Sequence, residues 1–481
     1  MNDAAHDLHA PHFIGIGGAG MSGLAKILAV RGAKVSGSDA KESETVLALR
    51  ELGAVVRVGH AAEHVPDGAS SIVVSSAIRT DNPELAAARE RGIPVVHRSD
   101  ALAALMGGRR ALAVAGTHGK TTTTSMLAVA LATLGLDPSY AIGGDLDAPG
   151  SNAHHGTGEI FVAEADESDR SFHKYAPEVA IILNVELDHH ANYASMEEIY
   201  DSFETFVGRI QSGGTLVVSA DHDGARELTA RVAGRPDLRV VTVGAAADAT
   251  VRVVSVTARG MTSEVVVELA GAEQGGTEQG RTELAFTVSV PGRHYAHNAV
   301  AALAAGVALG VPAEKLAEAL GSYTGVRRRL QLKGEARGVQ VIDSYAHHPT
   351  EMAADLEAIR DAAAGRVLVV FQPHLFSRTQ QLAEEMGQAL ALADASVVLD
   401  IYPAREDPIP GVTSELIIDA ARRAGAEVTA EHEFAAAAGV LAKLAAPGDL
   451  VLTMGAGDVT NLGPAILTEL GNGLEQFAAA V

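Results

Sequence analysis

The chain has 481 residues, 47% hydrophobic and 20% charged, a globular balance spread over too much length for one core, so two to four domains are expected. With 60 acidic against 37 basic side chains the formal charge is -23, which argues against a nucleic-acid partner because a phosphate backbone selects basic surfaces. Cysteine is absent, which excludes disulfides, thiolate metal sites and cysteine nucleophiles together and fits a reducing cytoplasm.

The polar start, Met1 to Pro11, carries Asp3 and Asp7 and no basic region, so a secretory signal is not expected. No run of eighteen apolar residues offers a membrane span. Short β-branched runs then alternate with helical patterns, as parallel α/β units require. His12–Ile16 predicts a strand, followed by glycines, a helix to about Arg31 and a strand at Lys34–Gly37. A second start at Ala111–Ala115, after Gly107-Gly108, marks the first linker, and strands at Ile160–Glu164 and Val179–Asn184 follow it.

Between about Thr250 and Val290 the apolar period changes to two, at Val251–Val256, Ser263–Leu269 and Leu284–Val290. Around the Gly/Glu/Gln-rich stretch Gly271–Gly280 this predicts antiparallel hairpins with a loose loop. A helix is expected over Asn298–Leu309. The third unit starts near Gly325-Val326-Arg327, with strands at Val339–Asp343, Val367–Phe371, Ser396–Leu399 and Leu450–Met454. The expected fold class is α/β in three consecutive domains. These are a Rossmann-like domain at 1–107, a central P-loop-type domain with the hairpin region at 108–325, and a Rossmann-like domain at 326–481.

Gly15-Ile16-Gly17-Gly18-Ala19-Gly20 matches G-x-G-x-x-G between a strand and a helix, and Asp39 closes the next strand. Glycines let the backbone approach a diphosphate on the helix N-terminus, and a carboxylate can hold a ribose hydroxyl. A positive φ is expected at Gly17, where a β-branched side chain would fit badly. Gly116-Thr117-His118-Gly119-Lys120-Thr121-Thr122-Thr123 is the sharper loop. Its amides can wrap phosphates, Lys120 can reach the outer ones, and a threonine hydroxyl can hold Mg²⁺. Position 114 is Val where strict Walker spacing has Gly, so the loop is a shortened variant. Two phosphate loops imply two nucleotide-bearing ligands.

Glu164 ends a strand in Glu164-Ala165-Asp166-Glu167-Ser168-Asp169, and Asn184, Glu186, Asp188 and His189 follow the next one. Oxygen ligands plus a histidine beside a triphosphate suit Mg²⁺. Asn298 can cap its helix or read an adenine edge; the residues alone leave both open. In the third unit Asp343–Pro349, with His347 and His348, and Phe371–Thr379, with His374 and Arg378, follow strands and suit anionic groups.

The Gly116–Thr123 loop, the Glu164–Asp169 motif and the Asn184–His189 segment together resemble the Mur ligase family, over essentially the whole chain. Gly15–Gly23, Ser75-Ser76-Ala77-Ile78, Asp81–Glu84, His97-Arg98, His347–Glu351 and Phe371–Thr379 resemble its members that act on UDP-N-acetylmuramate and L-alanine. The resemblance implies a UDP-sugar domain, an ATPase domain and a C-terminal domain that closes over the site. It implies ATP-dependent joining of L-alanine to UDP-N-acetylmuramate in cytoplasmic peptidoglycan precursor synthesis, by a monomer or homodimer.

Mg²⁺ would meet Thr121 or its neighbour, Glu164 and His189; Asn298 would meet the adenine; Arg328 and Arg378 would meet nucleotide phosphates. Gly15, Gly17, Gly18, Ala19, Gly20, Met21, Ser22, Asp39 and Ser76 would hold the UDP-sugar. His347 or His348 would help take a proton from the amine. Ser344 stands for an aspartate, Ala346 for a glycine and Leu330 for a phenylalanine found in some members. A dinucleotide-dependent oxidoreductase would use Gly15–Gly20 and Asp39 but leave Lys120 without a task. A non-catalytic UDP-sugar sensor would bind through the first loop without turning over ATP. A sister ligase that adds a preformed peptide is separated mainly by Gly18-Ala19-Gly20-Met21-Ser22.

Overall fold

The computed structural model describes residues 7–146, 151–188, 192–270, 281–404 and 406–478. The expected loose loop Gly271–Gly280, the expected ligand His189 and most of the polar start lie outside them. The chain packs as two compact units. Met1–Ser255, Val265–Thr287 and His297–Tyr323 form the first, and Val256–Glu264, Val288–Ala296 and Thr324–Val481 form the second.

The first sheet holds β1 (Pro11–Ile14), β2 (Ser36–Asp39), β3 (Val55–Val58), β4 (Ser71–Val74) and β5 (Val95–His97), in the order β3-β2-β1-β4-β5. Its pairings are parallel. Strand order reverses beside β1, and the crevice at such a switch point is where α/β sheets bind ligands. The second strand lies two residues later than expected from Lys34–Gly37. Pairing with β1 (His12 opposite Ser36, Ile14 opposite Ser38) sets that register, which local pattern does not encode.

Ten strands make the second sheet: β6 (Arg110–Ala115), β7 (Ser139–Ala141), β8 (Ala153–His154), β9 (Ile160–Glu164), β10 (Val179–Ile182), β11 (Thr215–Ser219), β12 (Arg239–Gly244), β13 (Val251–Arg259), β14 (Thr262–Leu269) and β15 (Thr282–Val288). Their order is β15-β14-β13-β12-β11-β10-β6-β9-β7-β8. Parallel pairing of β6 with both β9 and β10 puts the ends of three strands side by side. Only Gly260-Met261 separate β13 from β14, a connection that only antiparallel strands can use, and Gly260 takes φ +60. The helix expected from Asn298 runs Arg293–Ala308, so Asn298 lies inside it and does not cap it.

The second unit is built on β16 (Gln331–Ala336), β17 (Val339–Ser344), β18 (Val367–Phe371), β19 (Ala395–Val398), β20 (Val428–Ala430) and β21 (Leu450–Met454), in the order β16-β17-β21-β18-β19-β20. β18 and β21 are buried along their whole length and read as continuous apolar runs, as central parallel strands covered on both faces do. Among the described residues no helix is long and apolar enough to cross a membrane.

One buried polar cluster stiffens the first sheet. Glu84, fully buried, accepts from Ser38 Oγ at 2.8 Å and lies 2.8 Å from His12 Nε2 and 3.1 Å from His60 Nδ1. Burial pushes its carboxyl up, but the bonds from His12, Ser38 and His60 outweigh it and hold it below the ordinary value. Such a carboxyl adds its stability in full above the unfolded carboxylate pKa of about 4.3, and loses it as pH falls through the lower folded value. Glu84→Ala should cost about 3–5 kcal/mol in denaturant unfolding, because it leaves buried donors without their charge. The Tm gap between the parent and Glu84→Gln should narrow as pH is lowered from about 5 to about 3; a gap that widens on acidification would contradict this assignment.

Candidate active site

The loop between β1 and the helix Ala19–Val30 is fastened to β2. Gly15 takes φ +76, and its N–H and that of Ile16 donate to the Ser38 carbonyl at 2.8 and 2.9 Å. Gly17 N–H donates to Asp39 Oδ2 at 2.8 Å. Gly17 is not in the positive-φ region, so the expected reason for its glycine is corrected. A Cβ there would stand 3.0 Å from Asp39 Oδ2 and 3.1 Å from Val46 Cγ2, so the constraint is space and not backbone angle. Gly18 is the N-cap, Ala19 and Gly20 open the helix, and Met21 and Ser22 are buried in its first turn.

Asp39 therefore spends one oxygen on shaping the loop. Ser76 sits apart from this group: its hydroxyl donates to Asp169 Oδ2 at 2.6 Å.

The second loop joins β6 to the helix Lys120–Thr133, with Gly116 at φ +138 and Gly119 at φ +82. Asn184, just past β10, clamps it at two points. Its Oδ1 accepts from His118 N–H at 2.7 Å, and its Nδ2 donates to the His118 carbonyl at 3.1 Å. Glu186 N–H donates to Thr117 Oγ1 at 2.9 Å, and the Glu186 carboxylate lies 3.4 Å from His118 Nε2 and 2.9 Å from His222 Nε2. Asn298 reaches the same loop. A Cβ on Gly119 would fall 2.8 Å from its Oδ1, so glycine is required there twice over.

Lys120 Nζ donates to the carbonyls of Gly116 (2.7 Å) and Thr117 (3.0 Å) and pairs with Glu167 at 2.8 Å. Burial works to lower its pKa, but Glu167, Asp166 and Glu164 prevail and raise it, so the ammonium stays charged. Thr121 Oγ1 donates to Glu164 Oε1 at 3.2 Å, and Gly143 N–H to Glu164 Oε2 at 2.7 Å. Burial raises the Glu164 carboxyl above its ordinary value, against the pull of Lys120 and these two bonds. Thr122 is buried in the same turn.

The second unit has its own cluster of cations and rings. Arg328, at φ +63, donates from Nη2 to the carbonyls of Gly455 (2.6 Å) and Gly457 (3.0 Å) and lies over the Tyr345 ring at 4.7 Å. Its guanidinium therefore pins the turn after β21. His347 has its Nδ1 2.9 Å from the Tyr345 carbonyl and its ring centroid 5.8 Å from that of His374. Burial pushes the His347 pKa down to about 3, helped by Arg378 and His374 against Glu351, so the ring is neutral near pH 7. His374 is pushed down to about 4, again chiefly by burial. Arg378 Nη1 lies 3.4 Å from His374 Nδ1, and His348 is buried as the N-cap of the helix Pro349–Ala362. Ser344 bridges the same turn: its hydroxyl donates to Asp355 Oδ2 at 2.5 Å and accepts from Ala346 N–H at 3.0 Å.

Two glycine loops of nucleotide-binding type, each fastened to parallel strands, have counterparts in known proteins. Family models match in chain order: Mur ligase family, catalytic domain over residues 11–110, Mur ligase middle domain over 114–306, and Mur ligase, glutamate ligase domain over 328–457. The UDP-N-acetylmuramate--L-alanine ligase of Streptomyces avermitilis is 76% identical over 96% of this chain and 97% of its own length. The chain belongs to the Mur ligase family.

The enzyme of the same name from Saccharopolyspora erythraea is 53% identical over 96% of this chain and 94% of its own length. Among solved structures, the UDP-N-acetylmuramate-alanine ligase of Thermotoga maritima matches with TM-score 0.77 and 28% identity over 98% of this chain and all of that one. The architecture of this Mur ligase is accordingly three α/β domains in the expected order. A dinucleotide-dependent oxidoreductase is excluded with the family.

The motifs of the sequence point to no role for Glu167 or Arg98 in this Mur ligase, though both stand inside them. A signal was there: a lysine in a loop bordered by apolar strands needs a buried counter-ion, and four carboxylates within six residues offered one. Lys120→Ala should lower kcat for ATP turnover about 10²–10³-fold, the scale for removing one preorganised charge from a reacting centre. Steady-state ADP release checks it, and near-parental turnover would mean that the ATP loop has been misassigned.

Proposed function

We propose that this Mur ligase joins L-alanine to the lactyl carboxylate of UDP-N-acetylmuramate, with ATP converted to ADP and phosphate, in peptidoglycan precursor synthesis. The carrying observation is the 76% identity to an enzyme of that name over nearly the full chain. The sister ligase that adds a preformed peptide has a weaker counterpart: the Neisseria structure bearing such a name matches with TM-score 0.59 over 67% of this chain, against 0.77 over 98% for the Thermotoga structure, at the same 28% identity.

In this reading Gly15, Gly17, Gly18, Ala19, Gly20, Met21, Ser22, Asp39 and Ser76 take the UDP-sugar; Asp39 also shapes the loop, and Ser76 also donates to Asp169. Gly116, Thr117, His118, Gly119, Lys120, Thr121 and Thr122 hold the ATP phosphates, and Asn298 meets the adenine. Thr121 and Glu164 are oxygen donors 3.2 Å apart, and a buried carboxyl raised above its ordinary value gains from a hard cation, so the pair fits Mg²⁺. His189 is the third ligand proposed. Bound there, the ion would offset charge on the β- and γ-phosphates. Arg328 and Arg378 are proposed to face nucleotide phosphates, and domain limits are set at 1–107, 108–325 and 326–481. A monomer or homodimer in the cytoplasm is the proposed setting.

The chemistry runs in two steps. A carboxylate oxygen of the sugar nucleotide attacks the γ-phosphorus, and ADP leaves with the bonding pair. The alanine amine then attacks the acyl carbon, the C–O bond breaks, phosphate departs with that oxygen, and the amine loses a proton. We assign to Lys120, whose ammonium pairs with Glu167 at 2.8 Å, the task of balancing charge on the outer phosphates as the first bond breaks. His347 and His348 are the proposed candidates for taking the amine proton; burial pushes the His347 pKa down to about 3, which makes that ring the weaker base unless the ligand changes its surroundings.

Synthesis of UDP-N-acetylmuramate with ¹⁸O in the lactyl carboxylate tests the route. One labelled oxygen per turnover should appear in inorganic phosphate, and only when L-alanine is present. Label in AMP, or none in phosphate, would overturn the acyl-phosphate step; turnover with a peptide and none with L-alanine would overturn the substrate.

A further inference from the structure

A charged clasp stands between the two glycine loops of the first unit. Arg98 opens the helix Arg98–Met106 directly after β5, and its Nη2 donates to Asp166 Oδ2 at 2.6 Å and lies 3.4 Å from Asp169 Oδ2. The two aspartates are held in turn. Ser168 N–H donates to Asp166 Oδ1 at 3.0 Å, Ser171 N–H to Asp169 Oδ1 at 3.0 Å, and Ser76 Oγ to Asp169 Oδ2. On its other edge the guanidinium backs the first loop: a Cβ on Gly20 would stand 3.1 Å from Arg98 Nη1. Asp166 also adjoins Glu167, which holds Lys120 of the second loop at 2.8 Å. Neighbouring carboxylates of one loop, Asp166 and Glu167, are thus paired with two cations, one at each glycine loop.

We propose that Arg98 is a positioning residue that couples the two sites, so that ATP on the Gly116–Thr123 loop tightens binding of the sugar nucleotide on the Gly15–Gly20 loop. The coupling rests on the reading of those loops given above. A triphosphate draws the charge of Lys120 away from Glu167 and leaves more negative charge beside Asp166 for Arg98 to balance. The guanidinium is then pulled harder onto Asp166 and Asp169, and the side chain behind Gly20 is fixed before the diphosphate arrives. A group ordered in advance costs less to order on binding. By linkage the sugar nucleotide must tighten ATP by the same factor.

Calorimetric titration of the full chain with UDP-N-acetylmuramate, with and without Mg²⁺ and a non-hydrolysable ATP analogue, reads the coupling directly. The analogue should lower the parent Kd at least about fivefold, the lower end of ordinary site–site coupling. In Arg98→Met the ratio should fall below about twofold, while the analogue alone still binds; Arg98→Lys, which keeps the charge and loses the fork, should give an intermediate ratio. A residue that only supported the fold would weaken both ligands and leave their ratio unchanged. Should Arg98→Met fail to fold, Asp169→Asn is read in its place, with a reduced ratio expected. A parent ratio near one, or a parental ratio in the variants, overturns the proposal. If the parent does not bind UDP-N-acetylmuramate at all, the assignment of the first loop fails, and the coupling fails with it.

Discussion

An ammonium group taken out of water must be compensated nearby, and in this chain Lys120 meets that demand from one short stretch of a neighbouring strand end. Glu167 pairs with it directly, and Asp166 and Glu164 add their fields. Removing one partner of such a pair leaves a buried charge, so the surroundings of Lys120 are constrained together. β6 delivers the loop, β9 delivers the carboxylates, and Asn184 past β10 clamps the backbone of His118. Three adjacent parallel strands therefore present their carboxyl ends to one point, the position where an open α/β sheet puts its chemistry.

The first loop obeys a different constraint with the same outcome. It contains no cation, and its shape comes from backbone donors fastened to β2: Gly15 and Ile16 to the Ser38 carbonyl, and Gly17 to the Asp39 carboxylate. Ser38 is itself tied by its hydroxyl to the buried Glu84, which His12 and His60 compensate. A buried carboxylate thus sets the position of a backbone carbonyl, and that carbonyl sets the turn before the helix Ala19–Val30. Such a fully partnered network adds definition more than net stability.

In the second unit buried polar groups do comparable positioning. Arg328 holds the carbonyls of Gly455 and Gly457 and lies over Tyr345, while Asp343 accepts from Thr453 at 2.7 Å and Thr460 at 2.5 Å. Ser344, where some family members carry an aspartate, keeps a polar link by binding Asp355 and Ala346 through one hydroxyl. The low pKa of His347 follows chiefly from burial, with Arg378 adding to it against Glu351, and it makes the ring a neutral hydrogen-bonding group.

The order of three α/β domains, both glycine loops in their strand-to-helix setting, and the place of Lys120 at a helix start were all legible along the chain. Each depends on local chemistry: β-branched runs make strands, glycines permit close backbone approach, and a helix start supplies amides. Central strands such as Val367–Phe371 and Leu450–Met454 were legible to the residue, because burial on both faces leaves an unbroken apolar run. Register was not, as the displaced β2 shows; it depends on which residue of β1 lies opposite. The helix start at Arg293 was missed because Arg293, His294, His297 and Asn298 break up the apolar spacing around the buried Tyr295 and Ala296. Partnership was also hidden. Glu167 lies 47 positions from Lys120 and Asp166 lies 68 from Arg98, and what joins them is the neighbour order β10-β6-β9 and the packing of the helix after β5. Residue types and short spacings state what a side chain needs, whereas the strand order of a sheet decides which side chain is near enough to supply it.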